Sequence, residues 1–365
     1  MKCKKIVLGY VPVMRNTFPV APARQMRDRI RARVDEILQG NEHIELADAA
    51  PLLPDGMLWD NADVEKVAAF LEEKHADALF LPHCNFGQED AAAKLAARLG
   101  RPVLLWGPRD PAPEGLNFRP LDIQCGLFAT SKALVRYGVP FTYLENCNLD
   151  SEILAEGLDR FARTVAVVKA MRGMRVGQIG LRPRQFLSVK VNESELLEKL
   201  GFEVTPILTE VISTVVAKLR SGNADKIGRV QKIELPMATK RLGTLEDRGP
   251  DPSIRQRMED IRSKVDCTNV KDDTLEKIAV VELAIERIAQ LHELDAIALD
   301  CWAYLSSEFG IGACFVIGDL IDRGLVFACE TDIHAAITAR MLYAATFDSS
   351  CPFIADMTVR HPTND

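Results

Sequence analysis

Short apolar runs alternate along the chain with longer stretches in which apolar residues recur every three or four positions, the pattern of a parallel sheet covered by helices. Strands are expected at Ile6–Leu8, Ala78–Leu81 and Val103–Trp106, with helices at Ala23–Leu38, Val64–Lys74 and Glu89–Leu99. In the first helix, Met26, Ile30, Val34 and Ile37 share one face, so the arginines between them are expected on a solvated face. A long helix from Ser151 to about Met171 leads to a strand at Met174–Ile179, where the strand–helix–strand pattern restarts. Asn192 and Glu195 are spaced as a capping box, Gly201 as a helix stop, and Phe202–Ile207 as the next strand.

The polar stretch from Ser221 to Asp272, broken at Gly249-Pro250-Asp251-Pro252, is expected to form surface helices with one loop. Regularity returns with Leu275, Ile278, Val281, Ile285, Ile288 and Leu291 on one stripe of a helix over Asp273–Leu291. Strands follow at Asp295–Leu299 and Leu325–Cys329, then a helix over Ile333–Ala345 and a strand over Pro352–Ala355. The expected architecture is α/β, with two doubly wound domains of mainly parallel sheets flanked by helices: residues 1–172 and 173–350, with 351–365 opening a third domain.

A chain of 365 residues is long enough for two such domains. Its net charge of −7 carries no basic footprint for nucleic acid or an anionic membrane, so a small-molecule substrate fits better. No apolar stretch approaches the roughly 20 residues of a membrane span, and the run within Met1–Tyr10 is too short for a signal peptide. The 9 cysteines include no CxxC pair, so reduced thiols and a cytoplasmic location are expected. Cys314 and Cys329, in apolar runs, are expected to behave as small hydrophobes. No G-x-G-x-x-G follows the early strands, which disfavours a nicotinamide-dependent dehydrogenase.

In open α/β sheets ligands bind beyond the carboxyl ends of the strands. Glu330 directly follows the strand Leu325–Cys329, and Asp356 follows Pro352–Ala355. Consecutive strands joined by a helix are usually neighbours, which would bring the two carboxylates to within roughly 4 to 8 Å. Like charges that close repel unless a cation bridges them, and hard oxygen ligands favour Mg²⁺ or Mn²⁺. The plainer alternatives are a helix N-terminal carboxylate for Glu330 and a turn residue for Asp356. Asp332 is expected as the cap of the following helix. His334, one turn into that helix, suits a ligand, a substrate contact or a polar face; Trp302 suits stacking on a sugar or packing in the core.

At these residues the chain resembles the L-fucose isomerase family, which includes D-arabinose isomerases. The similarity runs through GYVPVMRNTF, LPHCNFG, GQIGLRP and DAIALDCW, and most specifically through ACETDIHAAIT and FIADMTVRHP. The resemblance implies that Glu330 and Asp356 bind manganese and form the acid–base pair of an aldose–ketose isomerase working through a cis-enediol. Asn85, in LPHCNFG, counts with Trp302 and His334 as a substrate-binding candidate, and Trp302 stands where some relatives carry a substrate-contacting glutamine. The resemblance further implies a hexamer with shared sites, a monosaccharide substrate, and a third metal ligand, a histidine, in a carboxyl-terminal domain. Since the chain ends at His361-Pro362-Thr363-Asn364-Asp365, it is expected to be truncated or reduced to its first two domains. The rival expectation is a non-catalytic sugar-binding or regulatory module of the same fold.

Overall fold

A computed structural model describes residues 5–112, 119–227, 248–302 and 304–355. The chain divides into two compact units at Lys169 and Ala170. No helix among the described residues is long and apolar enough to cross a membrane.

The amino-terminal unit runs β1 (Ile6–Tyr10), α1 (Val20–Leu38), β2 (Ile44–Asp48), α2 (Val64–Glu73), β3 (Ala78–Pro82), α3 (Glu89–Leu99), β4 (Val103–Trp106), α4 (Ile123–Arg136), β5 (Phe141–Tyr143) and α5 (Glu152–Met171). Its five strands are all parallel, in the order β2-β1-β3-β4-β5. The expected helix stripe is present, since α1 buries Met26, Ile30 and Val34 while its arginines stay at least partly exposed. The elements that periodicity does not announce are β2, β5 and α4. The two strands are edges, with one hydrogen-bonded neighbour each, and α4 buries Gly126 and Thr130 within its stripe. Gly126 is required there, because a Cβ would lie 1.6 Å from the carbonyl oxygen of Phe86.

The second unit carries β6 (Arg175–Ile179), α6 (Glu193–Leu200), β7 (Glu203–Ile207), α7 (Glu210–Arg220), α8 (Pro252–Lys264), α9 (Asp272–Leu291), β8 (Ala296–Leu299), α10 (Tyr304–Phe309), α11 (Ala313–Asp322), β9 (Val326–Ala328) and α12 (Ile333–Ala345). Its strands are parallel in the order β7-β6-β8-β9. Alternation along β8 sorts its side chains to two faces. Ile297 and Leu299 join a core built with α7, α8, α9 and α11, whereas Ala296 and Ala298 join one built with α6 and α12. Both faces are thus covered, as a doubly wound sheet requires.

The caps are local and legible. Asn192 accepts from the Glu195 amide at 3.3 Å, and Gly201 ends α6 in the left-handed region. The carboxylate of Glu195 turns to Lys199, so the box closes on one side only among the described bonds. Asp251 caps α8 by accepting from the Ser253 amide at 2.9 Å.

One expected strand does not form. Residues 352–355 are coil, with Phe353 85% exposed, and among the described residues β9 pairs with β8 alone. Pro352 has no N–H for a ladder, and nothing described covers the apolar faces of Phe353 and Ile354. The argument that a strand beside β9 carries Asp356 therefore fails, and Asp356 and His361 themselves lie outside the described residues. Cys314 corrects a second expectation: it is exposed on the first turn of α11 rather than buried as a small hydrophobe.

Candidate functional site

In the second unit the strand order reverses between β6 and β8, and ligands favour the crevice past the strand ends at such a switch. The backbones are crowded there. Gly180, just after β6, has φ +86°, and a Cβ on it would lie 2.6 Å from Cβ of Asp300 after β8. Three loops meet at this edge: residues 180–187 after β6, Asp300–Trp302 after β8, and Glu330–Asp332 after β9.

Glu330 and Thr331 both adopt left-handed backbone, at φ 60° and 56°. Two such residues in succession, one of them β-branched, are strained and persist only when their surroundings hold them. The holding bonds come from the end of β8 and from the turn itself. The Thr331 amide donates to the carbonyl of Leu299 at 3.1 Å, the Glu330 amide to Sγ of Cys301 at 3.4 Å, and the Asp332 amide to the carbonyl of Cys329 at 3.0 Å. Thr331 is buried, and its Oγ1 has no hydrogen-bond partner among the described residues. Asp332 caps α12, accepting from the Ala335 amide at 2.9 Å, the role expected of it.

The side chains of Trp302 and Glu330 meet: Nε1 of Trp302 donates to Oε1 of Glu330 at 3.0 Å. The indole is 62% exposed, so it is not a core residue, and its ring stands edge-on to Phe186 with centroids 5.6 Å apart. The guanidinium of Arg182 shapes the Phe186 loop by donating to the carbonyls of Pro183, Arg184 and Phe186. Phe186 and Cys301 are site neighbours that sequence reasoning missed. The signal for both was position, since each follows a strand that ends at the switch point.

The Cys301 thiol is lowered to about 7, chiefly by its neighbour Cys329, and the Cys329 thiol is raised by the same neighbour and by burial. His334 is exposed on the first turn of α12, and its described hydrogen bond is through the carbonyl, which accepts from Thr338 Oγ1 at 2.8 Å. No group of three or more His, Cys, Asp or Glu side chains suited to a metal gathers among the described residues. Glu330 keeps one carboxylate oxygen, Oε2, without a described partner. A hard oxygen donor of this kind fits Mn²⁺ or Mg²⁺.

Asn85 lies in the other unit, fully buried. Its Oδ1 accepts from the amides of Arg15 at 2.7 Å and Gly87 at 3.1 Å, and its Nδ2 donates to the Arg15 carbonyl at 3.1 Å. The side chain therefore ties together the loops that follow β1 and β3, the switch-point strands of the amino-terminal sheet. What those loops present is Arg15, whose guanidinium carbon lies 4.2 Å from the ring centroid of Phe86, itself stacked on Phe18 at 5.5 Å. A planar cation on an aromatic platform suits an anionic or hydroxylated ligand group. Beside it, His83 is wholly buried and its ring lowered to about 4 by desolvation, so it is neutral; Nδ1 donates to the carbonyl of Phe86 at 3.0 Å.

The model of the fucose/sulfoquinovose isomerase N-terminal domain matches residues 9–172. A sulfoquinovose isomerase of Priestia aryabhattai is 25% identical over 351 residues, spanning 95% of this chain and 68% of that protein. One of Alkalicoccus urumqiensis is likewise 25% identical over 350 residues, and one of Clostridium sp. (strain MSTE9) is 22% identical over 279. The amino-terminal unit is thus similar to the fucose/sulfoquinovose isomerase N-terminal domain, and the chain is similar to sulfoquinovose isomerases along nearly all its length.

Proposed function

We propose that this protein is an aldose–ketose isomerase acting on a monosaccharide, with Glu330 and Asp356 as metal-binding carboxylates and the acid–base pair. The supporting observation is the setting of Glu330. It stands at the carboxyl edge of β9 on a strained left-handed backbone, with Oε1 engaged by Trp302 and Oε2 without a partner among the described residues. The likeness to sulfoquinovose isomerases supports the reaction class.

In the proposed reaction an open-chain aldose loses its C2 proton to a carboxylate, giving a cis-enediol. The same carboxylate returns the proton to C1 while the hydroxyl proton passes from O2 to O1, which yields the ketose. A divalent cation, Mn²⁺ or Mg²⁺, would supply Lewis-acid polarisation of the carbonyl when bound. Glu330 offers it Oε2, and the partly exposed Trp302 ring offers the sugar an apolar face. His334, one turn along α12, is within the same loop cluster as a contact for a substrate hydroxyl. A homo-oligomer, a hexamer by resemblance, belongs to this proposal.

The test is conversion of L-fucose, D-arabinose and sulfoquinovose by the purified chain with Mn²⁺, followed by product chromatography and by uptake of deuterium from solvent at C1. Conversion of one sugar, with a loss of at least about 10²-fold in Glu330→Gln, is expected. Tight sugar binding that needs no divalent ion, without any conversion, would instead establish a binding module.

A further inference from the structure

Trp302 entered as a surface for sugar, yet its geometry gives it a second part to play. We propose that the Cys301–Trp302 segment leaving β8 is the positioning element for Glu330, holding its backbone through Cys301 and its carboxylate through the indole N–H. The contacts are independent of any assumed activity; their consequence for turnover rests on the isomerase proposal above.

Glu330 is fixed at both ends by two consecutive residues of the neighbouring loop. Its amide donates to Sγ of Cys301 at 3.4 Å, and its Oε1 accepts from Nε1 of Trp302 at 3.0 Å. A left-handed glutamate followed by a left-handed, buried threonine does not hold that conformation unaided. The bonds from this segment, with that of Thr331 to Leu299, supply the constraint. A glutamate side chain has three rotatable bonds, and a single directed donor removes most of that freedom.

The indole itself needs bracing, because a 62% exposed ring is otherwise free to turn. Phe186 provides the brace from the loop after β6, edge-on at 5.6 Å. That loop is in turn gathered by Arg182 on three of its own carbonyls. The order of support thus runs from Arg182 to Phe186, to Trp302, to Glu330. Among the described residues it leaves Oε1 occupied and Oε2 without a partner, so the carboxylate approaches a cation or a C–H bond through one defined oxygen. A tryptophan at this place acts through the glutamate, and it is a positioning residue rather than a catalytic one.

Two measurements test this. In ¹⁵N–¹H spectra the chain has 3 indole signals, and the one lost in Trp302→Phe belongs to Trp302. Glu330→Gln should move that signal upfield, because a charged acceptor is replaced by a neutral one; a signal that stays put in Glu330→Gln overturns the contact. This arm needs no activity, so it decides the contact even if the chain proves not to be an isomerase. The second measurement is of Trp302→Phe, which keeps a flat ring for sugar but removes the donor. Mn²⁺ affinity by calorimetry and kcat should each fall about 10-fold, with KM within about 2-fold, since a bond to a charged group is lost. Phe186→Leu should move both quantities in the same direction by less. A rise in KM alone, with kcat and Mn²⁺ affinity unchanged, overturns the proposal and leaves Trp302 a stacking surface. Absence of Mn²⁺ binding and turnover in the unaltered chain, with the indole signal behaving as expected, overturns the isomerase proposal and not the positioning contact.

Discussion

At the scale of single residues, chemical type was legible and partnership was not. Glu330 and Trp302 stood out because each lies within three residues of an expected strand's carboxyl end, and the tertiary structure joins them by a hydrogen bond of 3.0 Å across 28 residues. Asn85 shows the opposite outcome. A polar residue in a turn after a strand looked like a ligand contact, but all three of its described bonds go to backbone groups of Arg15 and Gly87. Asn85→Ala strands those groups and should cost about 2–3 kcal/mol. In a thermal melt its midpoint should therefore drop; activity lost at an unchanged midpoint would return Asn85 to the substrate. Gly126→Ala puts a methyl group 1.6 Å from the Phe86 carbonyl. It should displace the same turn and destabilise by about 1–3 kcal/mol, read as a lower denaturant midpoint with an unchanged slope.

Among the elements, long amphipathic helices were the easiest to place, because a stripe of buried positions repeats many times within one segment. The bounds expected for Glu89–Leu99 and Ile333–Ala345 coincide with α3 and α12. Caps were readable for the same local reason: Asp332 is followed directly by the apolar start of a helix, and its carboxylate meets the Ala335 amide. Asp332→Ala should cost about 1 kcal/mol and fray the first turn of α12. Faster amide exchange at Ile333–Ala335 would register it, and protection as in the parent protein would show that Glu330 or Thr331 holds the turn instead. Short strands gave the least information. Pro352–Ala355 has the composition of a strand but is coil, while the three-residue β5 is an edge strand that no pattern announced. A strand depends on a neighbour to accept its hydrogen bonds, and four residues of sequence do not carry that neighbour.

At the scale of the whole molecule, the two units bury ionisable groups of opposite sense. In the amino-terminal unit, desolvation lowers His83 from 6.5 to about 4. The unfolded chain then binds more protons, so this unit should gain stability as the pH rises through that interval. In the second unit, burial raises Glu282 from 4.5 to about 8, against the pull of Arg257, which donates to it at 3.0 Å. Here the folded chain binds more protons. The contribution is whole below pH 4.5 and is lost as the pH rises through about 8. Above pH 6.5 the His83 contribution is complete, leaving Glu282 as the falling one of the two. Glu282→Gln should flatten the decline in melting temperature between pH 6.5 and 8; an equal decline in the variant would refute the assignment. By itself the sequence determined the α/β class, the elements long enough to repeat their own pattern, and the residue types at the strand ends. These follow from local periodicity and from backbone groups satisfied within a few residues. Only the tertiary structure decided the order β7-β6-β8-β9, the absence of a strand at residues 352–355 and the bond between Trp302 and Glu330. Each of these depends on which distant segment supplies the partner for a hydrogen bond, and that choice is made by the packing of the whole chain.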